Sequence, residues 1–184
     1  MPTLLINLYG APCSGKSIKM MQLAVHAKLL GIFCEISAEV AKEYVVQKIP
    51  ITREIQLALS AEQARRLHCF VGHTQAVITD APIMIGAYYS QYRNLSQSED
   101  LAHFQKMAAD LHAKAAKIIN LYIWRKHPYE ERGRLETESE HHHIATEMYN
   151  FVKHHTKNQP LLEAQSTDTP AELWTRIESA KQNP

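Results

Sequence analysis

Between positions 10 and 17 the chain reads GAPCSGKS, and these residue types at this spacing can hold a row of phosphates. Gly10, Ala11, Pro12, Cys13, Ser14, Gly15, Lys16 and Ser17 satisfy the pattern G-x-x-x-x-G-K-[ST] in full. The glycines let backbone N–H groups turn inward on a phosphate, and a helix opening at this point adds its positive end. Lys16 then reaches the outer phosphates, and the Ser17 hydroxyl takes a place on Mg2+. Cys13 stands where many such loops carry glycine. Its backbone is expected to be ordinary, and its thiol, if exposed beside Lys16, to be open to oxidation.

Asp80 ends the apolar run QAVITD, so its carboxylate is expected beside the phosphates, where it organises Mg2+ or takes a proton from an attacking hydroxyl. A turn-capping role before Pro82 is the structural alternative. Glu35 and Glu39 flank ISA after a second apolar run. Either could act as general base or hold an acceptor hydroxyl, although carboxylates at a helix start also simply complement its dipole. The segment RKHPYEERGR supplies Arg125, Lys126, Arg132 and Arg134, with Gly133 as a hinge. A closing lid there would bring arginines to the charge that spreads over a transferring phosphoryl group. The alternative is a solvated loop, because Glu130, Glu131, Glu136 and Glu138 balance those charges.

Positioning these groups takes strands that end at the right places. The run TLLINLY reads as a buried strand stopping at Gly10, and residues 16–30 as a helix ended by Gly31. IFCEIS is a second strand, AEVAKEYVVQK a second helix stopped by Pro50, and 52–72 a further helical region whose Ser60 and Gln63 leave room for a break. QAVITDAP holds the third strand, residues 98–117 a long helix, and IINLYIW the fourth strand. A helix then runs to about residue 155, PLLEAQ is a weak fifth strand, and a last helix is capped by Thr169 or Asp168 with Pro170 in its first turn. Strands alternating with helices imply a parallel sheet covered on both faces, with ligands outside the carboxyl ends of the strands. Gly10, Glu35, Asp80 and Arg125 are all expected at such ends.

Other groups have a bland reading. Three adjacent histidines, His141, His142 and His143, point in different directions on a helix and cannot chelate one ion, so they read as a solvated face. Arg65 and Arg66, with Lys48 and Arg53, form either an acceptor-facing or DNA-facing patch or an ordinary helix surface. Tyr88, Tyr89 and Tyr92 read as packing residues rather than base-stacking ones. No exposed apolar stripe can be picked out.

The 184 residues suit one domain, and 45% hydrophobic content fills a single layered core. Lys plus Arg total 20 against 19 for Asp plus Glu, so the net charge of +1 exerts no general pull on nucleic acid or anionic membrane. Three widely spaced cysteines argue against a disulfide framework and for a reducing compartment. The opening apolar run is too short for a membrane span. The expectation is a soluble cytoplasmic protein, in a host's cytoplasm if the gene is a phage's.

With the phosphate loop, the VITDAP strand and the GR segment in hand, the chain resembles the P-loop nucleoside and nucleotide kinases. More narrowly it is similar to small phage and bacterial proteins grouped near ribosylnicotinamide kinase and to phage kinases of 5-hydroxymethyluracil in DNA. The likeness runs through INLYGAPCSGKS, EISAEVAKEYV, ALSAEQARRL, VITDAPIMIGAYY and YEERGRLETESE. It implies an α/β three-layer sandwich, a P-loop NTPase fold with a five-stranded parallel sheet of the kinase branch. It also implies a helical lid at about 125–140 and transfer of the terminal phosphoryl group of ATP with Mg2+. Glu39, Asp80, Gly133 and Arg134 carry over from the family's motifs; Arg132 joins Arg134 as a phosphate-reaching candidate, and Arg125 is assigned to the nucleotide. The implied acceptor is a nucleoside-like molecule or nucleotide, with DNA as one form of it, and such kinases occur singly and as homodimers. The sequence departs from the family at Ile18, where a second hydroxyl is frequent, and at Ala145, where relatives often carry an acid. A regulatory ATPase is the reading from a different class.

Overall fold

The computed structural model describes residues 1–129 and 137–182. Five strands form one all-parallel sheet: β1 (Leu4–Tyr9), β2 (Cys34–Ser37), β3 (Ala76–Thr79), β4 (Lys117–Trp124) and β5 (Leu161–Gln165), in the spatial order β2-β3-β1-β4-β5. This is the covered parallel sheet expected of a P-loop NTPase. β1 lies at the centre, with Leu5 opposite Val77 on one side and Ile118 on the other. Every residue of β1 is buried, which is why its sequence is a continuous apolar run rather than an alternating one.

Side chains leave β1 alternately for two separate cores. Leu4, Ile6 and Leu8 join one that includes Leu23 and Ala27 of α1 (Lys16–Leu29) and Leu173 and Ile177 of α7 (Pro170–Gln182). Leu5 and Tyr9 join the other, with Leu67 of α3 (Arg53–Phe70), Met84 and Tyr88 of α4 (Ile83–Tyr92), Phe104 of α5 (Asp100–His112) and Met148 of α6 (Glu138–His155). The short α2 (Ala41–Val46) follows β2.

The helix boundaries have local chemical causes. Thr52 Oγ1 accepts the Ile55 N–H at the start of α3. Thr137 and Glu140 form a reciprocal capping box at the start of α6, and Thr169 and Glu172 make the matching exchange at α7. α3 runs unbroken through Ser60 and Gln63, so the break that these residues leave room for does not form. The Ser60 hydroxyl donates to the Gln56 carbonyl one turn back, so it folds into the helix instead of ending it.

α4 was not foreseen. IMIGAYYSQY is apolar on nearly every side and carries Gly86 at its middle, so it shows neither helical periodicity nor strong helix propensity. It forms because α3, α5 and α6 all pack against it. Arg53 at the head of α3 clamps Asp100 at the head of α5 through two hydrogen bonds, Nε to Oδ2 at 2.8 Å and Nη2 to Oδ1 at 2.6 Å. That guanidinium holds the Asp100 carboxyl below its ordinary pKa. Arg65 and Arg66 pair with Glu62 on their own helix, the surface reading of that cluster. Ile18, Met21, Val25 and Leu29 stand exposed at helical spacing on α1, an apolar stripe the sequence alone does not reveal. Among the described residues no helix is long and apolar enough to cross a membrane.

Candidate active site

The phosphate loop leaves β1 and enters α1 through three residues with positive φ: Gly10 at 146°, Cys13 at 59° and Gly15 at 88°. Cys13 therefore lacks the ordinary backbone expected of it; it takes the left-handed conformation that the glycine of related loops adopts without strain. A Cβ on Gly10 would lie 2.6 Å from both the Ile123 carbonyl oxygen and Ser14 Oγ. Gly10→Ala is expected to cost ~2 kcal/mol or more, a fall of about 5 °C in melting temperature, read by thermal unfolding. Lys16 Nζ donates to the Gly10 carbonyl at 2.6 Å and the Ala11 carbonyl at 3.1 Å, which holds the ammonium over the loop. The first N–H groups of α1 have no carbonyl one turn back to accept them, so they point at whatever the loop encloses.

Asp80 follows β3 immediately and is 1% exposed. β3 pairs directly with β1, and this adjacency brings the carboxylate to the loop. Oδ2 accepts the Ser17 hydroxyl at 2.5 Å, and Oδ1 accepts the Glu39 N–H at 2.9 Å. Ser17 and Asp80, both named as metal-holding residues from sequence, are thus in contact. They offer hard oxygen donors that fit Mg2+, which takes few protein ligands and completes its shell with water and phosphate oxygens. Among the described residues no cluster of three His, Cys, Asp or Glu side chains offers another metal site.

Lys42 of α2 is the residue sequence reasoning missed. Its Nζ donates to Ser17 Oγ at 2.5 Å and to Asp80 Oδ2 at 3.2 Å, placing an ammonium against both oxygens. The signal available was AEVAKE itself, where Lys42 lies three residues after Glu39, on the same side of the helix expected over AEVAKEYVVQK, although α2 itself starts only at Ala41. Glu39 lines the same cavity as Asp80. Glu35 does not: it lies inside β2 rather than at its end, and it pairs with Lys28 at 3.2 Å, which removes it from the site.

Arg125 follows β4 as expected, but it does not line the cavity. Its Nε donates to His141 Nε2 at 3.1 Å, its Nη1 to the His127 carbonyl and its Nη2 to Glu138, and its guanidinium lies over the Tyr129 ring. His141 in turn meets the Pro12 carbonyl through Nδ1 at 2.8 Å. Because Nε2 accepts from Arg125, Nδ1 must carry the proton, and the ring is neutral. His141 is 4% exposed, so the solvated-face reading of the triplet fails for it while holding for the exposed His142 and His143. The chain Arg125–His141–Pro12 braces the phosphate loop from behind.

Burial, and then the Arg125 charge, lower the His141 pKa from its ordinary 6.5, and burial lowers those of His68, His112 and His155. A depressed folded-state value means that the unfolded chain takes up these protons first. Stability from the neutral rings is therefore complete above about pH 6.5 and is lost as pH falls below it. Thermal unfolding is expected at a lower temperature at pH 5.5 than at pH 7.5, and His141→Asn is expected to shrink that difference.

A cavity of about 440 Å3 opens beside the loop. It is lined by residues 12–18, Asp80 and Lys42, by Leu59 of α3, and by Ile85, Gly86 and Tyr89 of α4, and His127 and Pro128 also border it. Its size suits a small organic molecule next to a bound phosphate chain. Tyr88 instead stacks on Tyr92 and meets Phe151 edge-on, a packing role. Arg132, Gly133 and Arg134, and with them the core of the expected lid, lie outside the described residues.

A family model described as an AAA domain matches residues 5–169, from the second residue of β1 to the cap of α7. The chain belongs to this family of P-loop NTPases. No curated protein matches it. Membership in the AAA domain family supports nucleotide binding, with hydrolysis or phosphoryl transfer as the accompanying chemistry.

Proposed function

We propose that this AAA domain is an ATP- and Mg2+-dependent phosphotransferase whose acceptor is nucleoside-like. One observation carries the reading: the cavity lined by the phosphate loop and Asp80 is also walled by Leu59 of α3 and by Ile85, Gly86 and Tyr89 of α4. A simple ATPase needs room for a water at that place, whereas a chamber of this extent suits an organic acceptor.

In this reading Lys16 and the loop N–H groups hold the triphosphate, and Ser17 and Asp80 hold Mg2+, which offsets charge on the transferring group. The acceptor hydroxyl oxygen bonds to the terminal phosphorus as the bond to the bridging oxygen breaks, and ADP leaves. The hydroxyl proton passes to a carboxylate, Asp80 or Glu39. Arg132 and Arg134 are the lid arginines of this scheme. Lys42, already against Ser17 and Asp80, adds a cation on the acceptor side.

A free nucleoside, a nucleoside monophosphate, a ribosylnicotinamide-type molecule and a hydroxymethylated pyrimidine in DNA all have this chemistry. The pairing of Arg53 with Asp100, and of Arg65 and Arg66 with Glu62, favours a small acceptor, because those charges are already matched within the protein. The test is incubation with terminally labelled ATP and a panel of these acceptors, including DNA with and without 5-hydroxymethyluracil. Label on one acceptor supports transfer. Turnover of ATP with label only in free phosphate identifies a regulatory ATPase instead.

A further inference from the structure

The face of α3 turned to the cavity presents Gln56, Leu59, Ser60 and Gln63, spaced i, i+3, i+4, i+7. Three of these four are polar and all three polar ones are at most 7% exposed, an unusual stripe for a buried helix face. Two have structural employment. Gln63 donates to Ser37 Oγ and Thr79 Oγ1 and accepts the Val40 N–H, tying α3 to the ends of β2 and β3. Ser60 donates to the Gln56 carbonyl. The Gln56 carboxamide makes no hydrogen bond among the described residues, although the residue is 7% exposed and lines the cavity. Such a group has two donors and two lone pairs, and here it borders the cavity, where a bound molecule can meet them.

Gly86 on the facing α4 explains how the amide is held. A Cβ there would come within 3.2 Å of Gln56 Nε2 and 2.4 Å of Ser60 Oγ, so the absence of a side chain lets α3 close on α4 and beds the amide against a bare backbone. Leu59 and Ile85 make the neighbouring wall apolar. Gly86 stands three residues into α4, about 5 Å along the helix axis from the end that adjoins Asp80. Gln56 and Asp80 line the same cavity, so a ring held at Gln56 shares that space with the carboxylate.

We propose that Gln56 is the specificity contact for an acceptor bearing a planar amide edge, an N–H donor beside a C=O acceptor, as on a pyrimidine imide or a pyridine carboxamide. The inference rests on the phosphotransfer reading and names the acceptor class for it. A neutral carboxamide matches that edge with one donated and one accepted hydrogen bond, whereas a phosphate at this position would call for a guanidinium or ammonium. A site built around such a pair discriminates strongly against analogues that cannot make it.

The test is calorimetric titration of the whole protein with thymidine, N3-methylthymidine, nicotinamide riboside and nicotinic acid riboside, alongside ATP. Thymidine binding at least about tenfold more tightly than its N3-methyl analogue points to the imide. The same margin for nicotinamide riboside over the acid points to the carboxamide. In either case Gln56→Leu is expected to weaken the favoured probe about tenfold or more, erase the margin and leave ATP affinity unchanged. Should the leucine variant melt early, Gln56→Met keeps the length, removes both the donor and the acceptor and is expected to lose the same margin. Saturable probe binding indifferent to both variants, or no saturable binding by any probe at millimolar concentration, overturns the inference while ATP binding and turnover leave the phosphotransfer reading standing. Failure of the wild-type protein to bind ATP takes both down.

Discussion

Lys16→Met is expected to lower ATP turnover by about a thousandfold and weaken nucleotide binding by about tenfold to a hundredfold. The ammonium is the cation of the loop, held over it by the Gly10 and Ala11 carbonyls at 2.6 and 3.1 Å. Methionine keeps much of the stem and removes the charge and all three donors. Phosphates would then meet only backbone N–H groups. Fluorescence titration with a labelled nucleotide measures the affinity, and release of labelled phosphate measures the turnover. A variant that binds and spends ATP as the wild type does would remove the basis for assigning residues 10–17 to a nucleotide. Thermal unfolding is the control, because the lost hydrogen bonds to Gly10 and Ala11 also loosen the loop.

Asp80→Asn is expected to reduce turnover by about a hundredfold to ten-thousandfold while changing metal-free nucleotide affinity little. The carboxylate is buried and accepts from Ser17, Glu39 N–H and Lys42. An asparagine has one acceptor oxygen where three donors converge, and its NH2 must face one of them. It also removes the negative charge that a divalent ion beside Ser17 requires. Titrating nucleotide binding against Mg2+ separates this effect from general damage. The wild-type protein is expected to bind more tightly as Mg2+ rises, and the variant to respond weakly. An unchanged Mg2+ response would take Asp80 out of the metal site, and unchanged turnover would also remove it as proton acceptor.

Which residues were legible beforehand follows from how locally each is specified. Gly10, Gly15, Lys16 and Ser17 act within one loop, so a strand, a turn and a helix start suffice to place them. Asp80 needed one further inference, that the strand it follows lies beside β1, and the observed pairing supplies that. Glu35 shows the limit of the same reasoning: it lies inside the strand of IFCEIS rather than at its end, and its carboxylate pairs with Lys28 instead of reaching the site. His141, His142 and His143 are chemically identical in sequence. Only the packing of α6 behind the loop decides that the first is buried between Arg125 and Pro12 while the others face solvent.

α4 was illegible for the opposite reason. A helix surrounded by other helices has no polar face to reveal its period, and Gly86, which lowers its propensity, is there for a contact with residues some 25 to 30 positions earlier in the chain. Gln56 and Lys42 likewise became visible only when α3 and α2 were set against the loop. The sequence by itself determined the parallel α/β class, the phosphate loop and the acid at the end of β3, because backbone periodicity and short-range turns encode them. The tertiary structure alone decided which residues wall the cavity, the brace behind the loop and the cation beside Asp80. Those depend on side chains from distant segments meeting across a packed interface, and no local pattern records which of them will meet.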